Sequence, residues 1–351
     1  MRKFAFIFLF FGILYGVPLH AEEKTFGFQT MLPSISLIGN FAGAYFSKEP
    51  VGATGVDPAK TGFNLQEIEL ALQSVIDPYF RADMMLAFSE NGVELEEGYF
   101  TTLSLPRGFQ LRGGKFRLPF GRQNQKHTEM WDFADNSLAN KYLLGPDGLK
   151  ELGLEASYLI PVPFFLQFQG TVSNGDGDTS FGGTRKQDLL YQGRLSTSFD
   201  TSANTSILFG TSAGFGFNNT ALGNQTQIFG GDFLFKWKPE SYRSLVWQSE
   251  ILFRSFEDAA AVHQKDGGFY SYLDYQFVKR WHAGIRYDQM GLPSDAIVKE
   301  YRVTPAITFN PTEFTRIRAQ YEADKVSGLQ LAHAGFLQIE FSMGSHGAHA
   351  F

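Results

Sequence analysis

From about residue 33 onward the chain repeats one pattern. Apolar and polar residues alternate one for one over runs of roughly ten residues, and about sixteen such runs succeed one another. Phe80, Ala82, Met84, Leu86 and Phe88 alternate with Arg81, Asp83 and Ser89. Leu245, Trp247, Ile251 and Phe253 alternate with Gln248, Glu250 and Arg254, and Ile317, Ala319 and Tyr321 with Arg316, Arg318, Gln320 and Glu322. A period of two is the geometry of a β-strand, whose successive side chains leave on opposite faces.

Strands with one oily and one wet face can stack into a soluble sandwich around a dry core or close into a ring in lipid. Aromatic content favours the ring. The chain has 37 Phe, 14 Tyr and 4 Trp with 37 Gly, yet a mean hydropathy of only −0.16. Large aromatics along whole strands, at a polar average, suit a sheet with lipid outside and water inside. In hydrocarbon every backbone N–H and C=O must be paired, so the sheet must close on itself. About sixteen strands leave an aqueous lumen, whereas eight would be filled by side chains. The sequence therefore predicts an all-β fold: a transmembrane antiparallel β-barrel of about sixteen strands.

The connections alternate between tight and long. Tight ones include Asp77-Pro78, Leu105-Pro106-Arg107-Gly108, Lys238-Pro239-Glu240-Ser241 and Asn310-Pro311-Thr312. Long polar ones run over 48–61, 120–150, 174–187, 218–225, 257–267, 290–298 and 324–330. Short periplasmic turns and longer outer loops are the habit of outer-membrane barrels. The opening residues fit that location. Arg2 and Lys3, the apolar run Phe4 to Gly16, Pro18 and Leu19-His20-Ala21 form a secretory signal with cleavage near Ala21. The expected division is a signal peptide over 1–21 and an outer-membrane barrel over 22–351.

Other classes are disfavoured. A formal net charge of −6 does not suit a nucleic-acid partner. Cysteine is absent, so no thiolate metal site can form. Asn174-Gly175-Asp176-Gly177-Asp178 lacks the rest of a calcium loop, including its closing Glu. His346 and His349, even with His333, make a weak zinc pair. No cofactor and no metal are expected. A barrel enzyme is the alternative from another class, but no Gly-x-Ser-x-Gly elbow occurs. A substrate-specific uptake receptor would need about 22 strands and a plug domain. Phe351 is a terminal aromatic of the kind read by the barrel-assembly machinery, an expected partner in biogenesis beside outer-membrane lipid.

The connection over 120–150 is the longest. In a wide barrel such a loop is functional if it folds inward and narrows the lumen. Phe109 and Leu111 before Gly113-Gly114, and Phe116 and Leu118 after it, are expected to face lipid. That implies a slip of one residue. A β-bulge at the glycines would account for it and turn Lys115 and Arg117 into the lumen. The loop adds Arg122, Lys126, His127 and Lys141 with Glu129, Asp132, Asp135 and Asp147. The expected constriction contacts for small ions or solutes are Lys115, Arg117, Arg122 and Lys126, with Arg81, Arg316 and Arg318 from the wall. Inward positions elsewhere carry nearly balanced signs: Arg81, Arg194, Lys236, Arg254, Arg286, Arg302, Arg316 and Arg318 stand against Glu67, Glu69, Asp83, Asp232, Glu250, Asp274, Asp288, Glu322 and Glu340. Such a lumen implies a transverse field rather than a one-sign filter.

Several motifs in and beside this loop carry a family likeness. Gly114-Lys115-Phe116-Arg117-Leu118-Pro119-Phe120-Gly121, the stretch His127 to Phe133, Asp135-Asn136-Ser137-Leu138 and Gly145-Pro146-Asp147-Gly148-Leu149 resemble the phosphate-selective porin O/P-like family, best over 62–175. The resemblance implies a sixteen-stranded, trimeric outer-membrane channel for passive diffusion. It also implies an anion preference, with Lys115, Arg117, Arg122 and Lys126 as anion contacts and a homotrimer as the assembly.

Overall fold

Sixteen strands hydrogen-bond in sequence order, each antiparallel to the next, and the first pairs with the last to close the ring. The structure is a computed structural model and describes residues 33–48, 55–177, 179–183, 187–293 and 299–344. The expected signal over 1–21, Asp178, His346, His349 and Phe351 lie outside the described residues. The strands are β1 (Ser34–Phe46), β2 (Gly62–Val75), β3 (Phe80–Ser89), β4 (Gly92–Thr102), β5 (Phe109–Arg117), β6 (Lys150–Leu159), β7 (Phe165–Ser173) and β8 (Leu190–Ser202). They continue as β9 (Thr205–Asn219), β10 (Asn224–Glu240), β11 (Arg243–Glu257), β12 (His263–Val278), β13 (Trp281–Met290), β14 (Glu300–Thr312), β15 (Thr315–Val326) and β16 (Ala332–Gly344). This is the closed sixteen-strand barrel that the alternation predicts. In the closing pair Phe41 meets Ile339 and Asn40 meets Glu340.

Burial is inverted relative to a soluble protein. Along the β10–β11 pair, Phe229, Phe253 and Trp247 are exposed, while the inward partners Asp232 and Glu250 are buried. An unbroken ring of exposed large apolar side chains is stable only against hydrocarbon. At the short-turn end these side chains form an aromatic girdle. Phe109 stacks on Tyr158 at 4.3 Å, Trp281 on Phe309 at 4.5 Å, and Phe80 meets Phe100 edge-on at 5.9 Å. Amphipathic rings favour that interfacial depth.

The turns explain themselves locally. Asp77 Oδ1 accepts hydrogen bonds from the backbone N–H groups of Tyr79 and Phe80, at 2.7 and 2.8 Å. That arrangement closes the tight β2–β3 turn. Two connections expected to be long are short. β9 runs to Asn219 and β10 starts at Asn224, and β12 already begins at His263 after β11 ends at Glu257. Their polar residues continue the ladder instead of looping, because paired backbone needs no lipid beside it.

Candidate functional site

The connection between β5 and β6, residues 118–149, lies inside the barrel. Its only α-helix among the described residues, α1 (Leu138–Leu143), starts at Ser137, whose side chain accepts from the N–H of Asn140. Phe116, Leu118, Phe120, Leu138, Leu143 and Leu149 pack with the inward-facing Leu190, Ile228, Leu252 and Met290. These side chains are almost wholly withdrawn from solvent, each contributing about 1.5–3 kcal/mol. The lumen thus has a small dry core of its own. Gly230 makes room for it, since a Cβ there would come within 2.8 Å of Leu252 and 3.0 Å of Phe120.

This core corrects the reading of Phe116, Leu118 and the glycines. Phe116 and Leu118 face the loop core and not lipid. β5 pairs without a shift with β6 from Phe109 to Arg117 and with β4 from Arg112 to Lys115, so no bulge interrupts it at Gly113-Gly114. Lys115 therefore keeps the outward side shared with Phe109 and Leu111. It pairs with the exposed Leu152 in register and reaches Glu94 at 3.1 Å. The error came from taking an apolar residue to mean a lipid-facing one.

The true bulges lie on neighbouring strands. In β4, Glu97 pairs with Met85 and Leu95 with Leu86, leaving Glu96 extra. In β2, Glu67 pairs with Asn40 and Leu65 with Phe41, leaving Gln66 extra. A bulge lets two successive residues serve one face, and Gln66, Glu67, Glu96 and Glu97 are all buried. The sequence signal was the doublets Gln66-Glu67 and Glu96-Glu97, which break the alternation.

Polar contacts pin the segment to the wall nearly all the way round. Gln66 of β2 donates to the Ala134 carbonyl at 2.9 Å, and Gln192 of β8 to that of Pro119 at 2.8 Å. Glu250 of β11 accepts from the backbone N–H groups of Arg122 and Gln123. Tyr272 of β12 donates to Asp132 at 2.5 Å. Asp288 of β13 accepts from the N–H of Leu138, and Gln320 of β15 from that of Ala134. Lys141 bridges to Asp57 at 2.9 Å and Tyr142 donates to Glu300 at 2.8 Å.

Placed in this frame, the seven candidate cations separate. Arg81 sits near the short-turn mouth and pairs with Asp83 at 2.5 Å. Arg117 is buried, ion-paired with Glu96 and hydrogen-bonded to the Asp147 carbonyl at 2.6 Å. Lys126 is bound to Asp132 at 2.9 Å, and Arg316 to Glu340. Arg122 reaches Gln248 at 3.2 Å. Arg318 is buried and donates to Gln338 at 2.6 Å and to the Trp131 carbonyl at 2.8 Å. Of the seven, Arg122 and Arg318 have no carboxylate within ion-pair distance among the described residues. Arg112, not singled out by sequence, lies 4.2 Å over the Phe116 ring and binds Glu155 at 2.6 Å. Toward the short turns a cavity of about 380 Å³ opens, lined by Ser198, Asp200, Lys236 and Lys238 among others.

A second cluster joins the loop to β2 and β4. His127 Nε2 lies 2.6 Å from Glu97, and Nδ1 lies 2.9 Å from Glu69 and 3.5 Å from Glu96. Burial alone would lower the pKa of His127, but the charges of Glu69 and Glu97 outweigh it and hold the ring well above the usual imidazole range. For Glu129, burial and then the charge of Glu69 push the carboxyl well above its usual range. Sequence expected no metal centre, yet Glu69, His127 and Glu129 stand together with ligand atoms within 4.8 Å of one another.

A closed barrel with an outward apolar ring, short turns at one end and an inward-folded loop is the architecture of an outer-membrane β-barrel. Solved structures share the fold across 89% of this chain. They are an anion-selective porin from Comamonas acidovorans (TM-score 0.63, 11% identity, 100% of that chain) and the outer-membrane channel DcaP of Acinetobacter baumannii (0.60, 10%, 97%). A third is OmpT, an outer-membrane protein of Vibrio cholerae, in trimer form (0.58, 8%, 100%). No family model matches the sequence. The chain belongs to the same family as a protein of Aquifex aeolicus (strain VF5) described as uncharacterized. The two are 35% identical over 340 residues, 83% of this chain and 71% of that one.

Proposed function

We propose that this protein is a passive porin of the outer membrane, through which small hydrophilic solutes and ions diffuse past the segment 118–149. The observation that carries the reading is that this segment is held inside the barrel by the wall itself, from β2 round to β15. A loop fixed there reduces the cross-section available to a solute, and charged groups at a constriction set which ions pass. The balance of charge supports weak selectivity rather than a phosphate filter. Most candidate cations are neutralised by neighbouring carboxylates, so any anion preference rests chiefly on the Arg122 guanidinium. The Comamonas neighbour, an anion-selective porin, favours the same sign. A homotrimer is proposed with it, on the family resemblance and the trimeric Vibrio neighbour.

Transport is proposed in preference to catalysis. His282 pairs with Asp274 at 2.8 Å, as two members of a triad would, but no serine hydroxyl is bonded to that ring among the described residues. Purified protein inserted into a planar lipid bilayer is expected to open in discrete conductance steps. A correctly folded barrel that leaves the bilayer silent would refute the porin reading.

A further inference from the structure

The strongest cluster that transport leaves unexplained is the one around His127. We propose that Glu69, His127 and Glu129 form a binding site for a divalent cation of the transition series, of which Zn2+ is the representative. The site stands independently of the transport reading.

Three observations converge. First, the two carboxylates and the imidazole come from separate elements, β2 and the inner segment, yet bring one ligand atom each within 4.8 Å of the others. Second, Glu69 Oε2 and Glu129 Oε2 are buried without a hydrogen-bond partner, on residues more than nine-tenths withdrawn from solvent. A buried carboxylate oxygen without a donor is costly unless something positive reaches it. Third, the histidine is oriented as a ligand. Its Nε2 lies 2.6 Å from Glu97 and its Nδ1 faces the cluster, so an incoming cation would take the place of the Nδ1 proton while Glu97 keeps the one on Nε2. Nδ1 and Glu69 Oε2 approach to 2.9 Å, yet Nδ1 makes no aligned hydrogen bond. A carboxylate behind the imidazole is the usual outer support of a metal-binding histidine.

Charge agrees with this reading. Among the described residues, the ion pairs of the Glu67, Glu69, Glu96, Glu97 and Glu129 group run to Arg117, Lys150 and the ring of His127. A divalent ion would supply the missing positive charge. One imidazole with carboxylates selects borderline ions such as Zn2+ over Ca2+ and Mg2+, which prefer all-oxygen sets.

The test uses the full-length barrel in detergent, stripped with a chelator and titrated with Zn2+ by calorimetry. Its closed state is confirmed by heat-modifiable gel mobility. About one Zn2+ per chain should bind saturably. Glu129→Gln, nearly isosteric, should weaken binding at least tenfold. Glu97→Gln keeps all three ligands and should still weaken it about 10–100-fold through loss of the supporting contact. The proposal is overturned if folded wild type takes up no Zn2+ saturably. It is equally overturned if both variants bind as wild type does, as they would were His346 and His349 the ligands. Displacement by Ca2+ or Mg2+ at equal concentration would overturn the choice of a transition-series ion.

Discussion

Arg286 of β13 grips Asp135 of the inner segment twice: Nη2 donates to Asp135 Oδ2 at 2.6 Å and Nη1 to the Asp135 carbonyl at 3.0 Å. Arg302 of β14 reaches the same carboxylate at 3.1 Å and Gln320 of β15 at 2.6 Å. Three adjacent strands thus hold one loop residue. Asp135→Asn removes the charge between the buried Arg286 guanidinium and the half-buried one of Arg302 and should cost about 3 kcal/mol. Freed at this point, the segment should move from the wall, and single-channel conductance should rise and become noisier. Unchanged conductance with unchanged unfolding would show that Asp135 is not the latch.

The same contact fixes an acid response. Burial alone would raise the pKa of Asp135, but Arg286 and Arg302 outweigh it and hold the carboxyl at about 2. Asp288 of β13 and Glu322 of β15 face the same group and repel its charge, opposite to the arginines. A carboxyl held down in the folded state stabilises it fully above the unfolded value of about 4 and loses that stabilisation as pH falls through the folded one. The latch should therefore be indifferent to pH near neutrality and loosen between about 4 and 2. Trp131 fluorescence, shifting to the red as the ring is uncovered, reads this directly. A midpoint near 6 would assign the change to another group.

Selectivity should respond to Arg122 and not to Lys115. A charge at close range in water is worth on the order of 1 kcal/mol, about fivefold in a permeability ratio. Arg122→Glu should move the reversal potential in a salt gradient toward cations by at least that factor. Lys115→Glu, on the outward side beside Glu94, should leave it in place. The opposite ranking would place the Lys115 side chain, and not that of Arg122, in the path of the ions.

The dry core and the lipid face should answer differently to truncation. Leu252 is fully buried under the inner segment, so Leu252→Ala should cost about 2–5 kcal/mol through the cavity left behind. Leu273 lies on the outward face, where lipid chains refill the space, and Leu273→Ala should cost clearly less. Urea unfolding of liposome-inserted protein, followed by gel mobility, compares the two. Equal losses would place Leu252 in contact with lipid or water.

The sequence by itself determined the barrel: its strand number, its tight turns, and the inward side of such residues as Asp232, Glu250, Arg286 and Arg318. Those follow from a period of two and from the need to pair every backbone group in hydrocarbon, both local facts. Only the tertiary structure decided that Phe116 and Leu118 shelter under their own loop, that Lys115 stays outside, and that Glu69 meets His127 and Glu129. Alternation states which side of a strand is oily without saying what covers it. Partners such as Asp135 and Arg286 lie 151 residues apart in the chain and come together only when the ring closes.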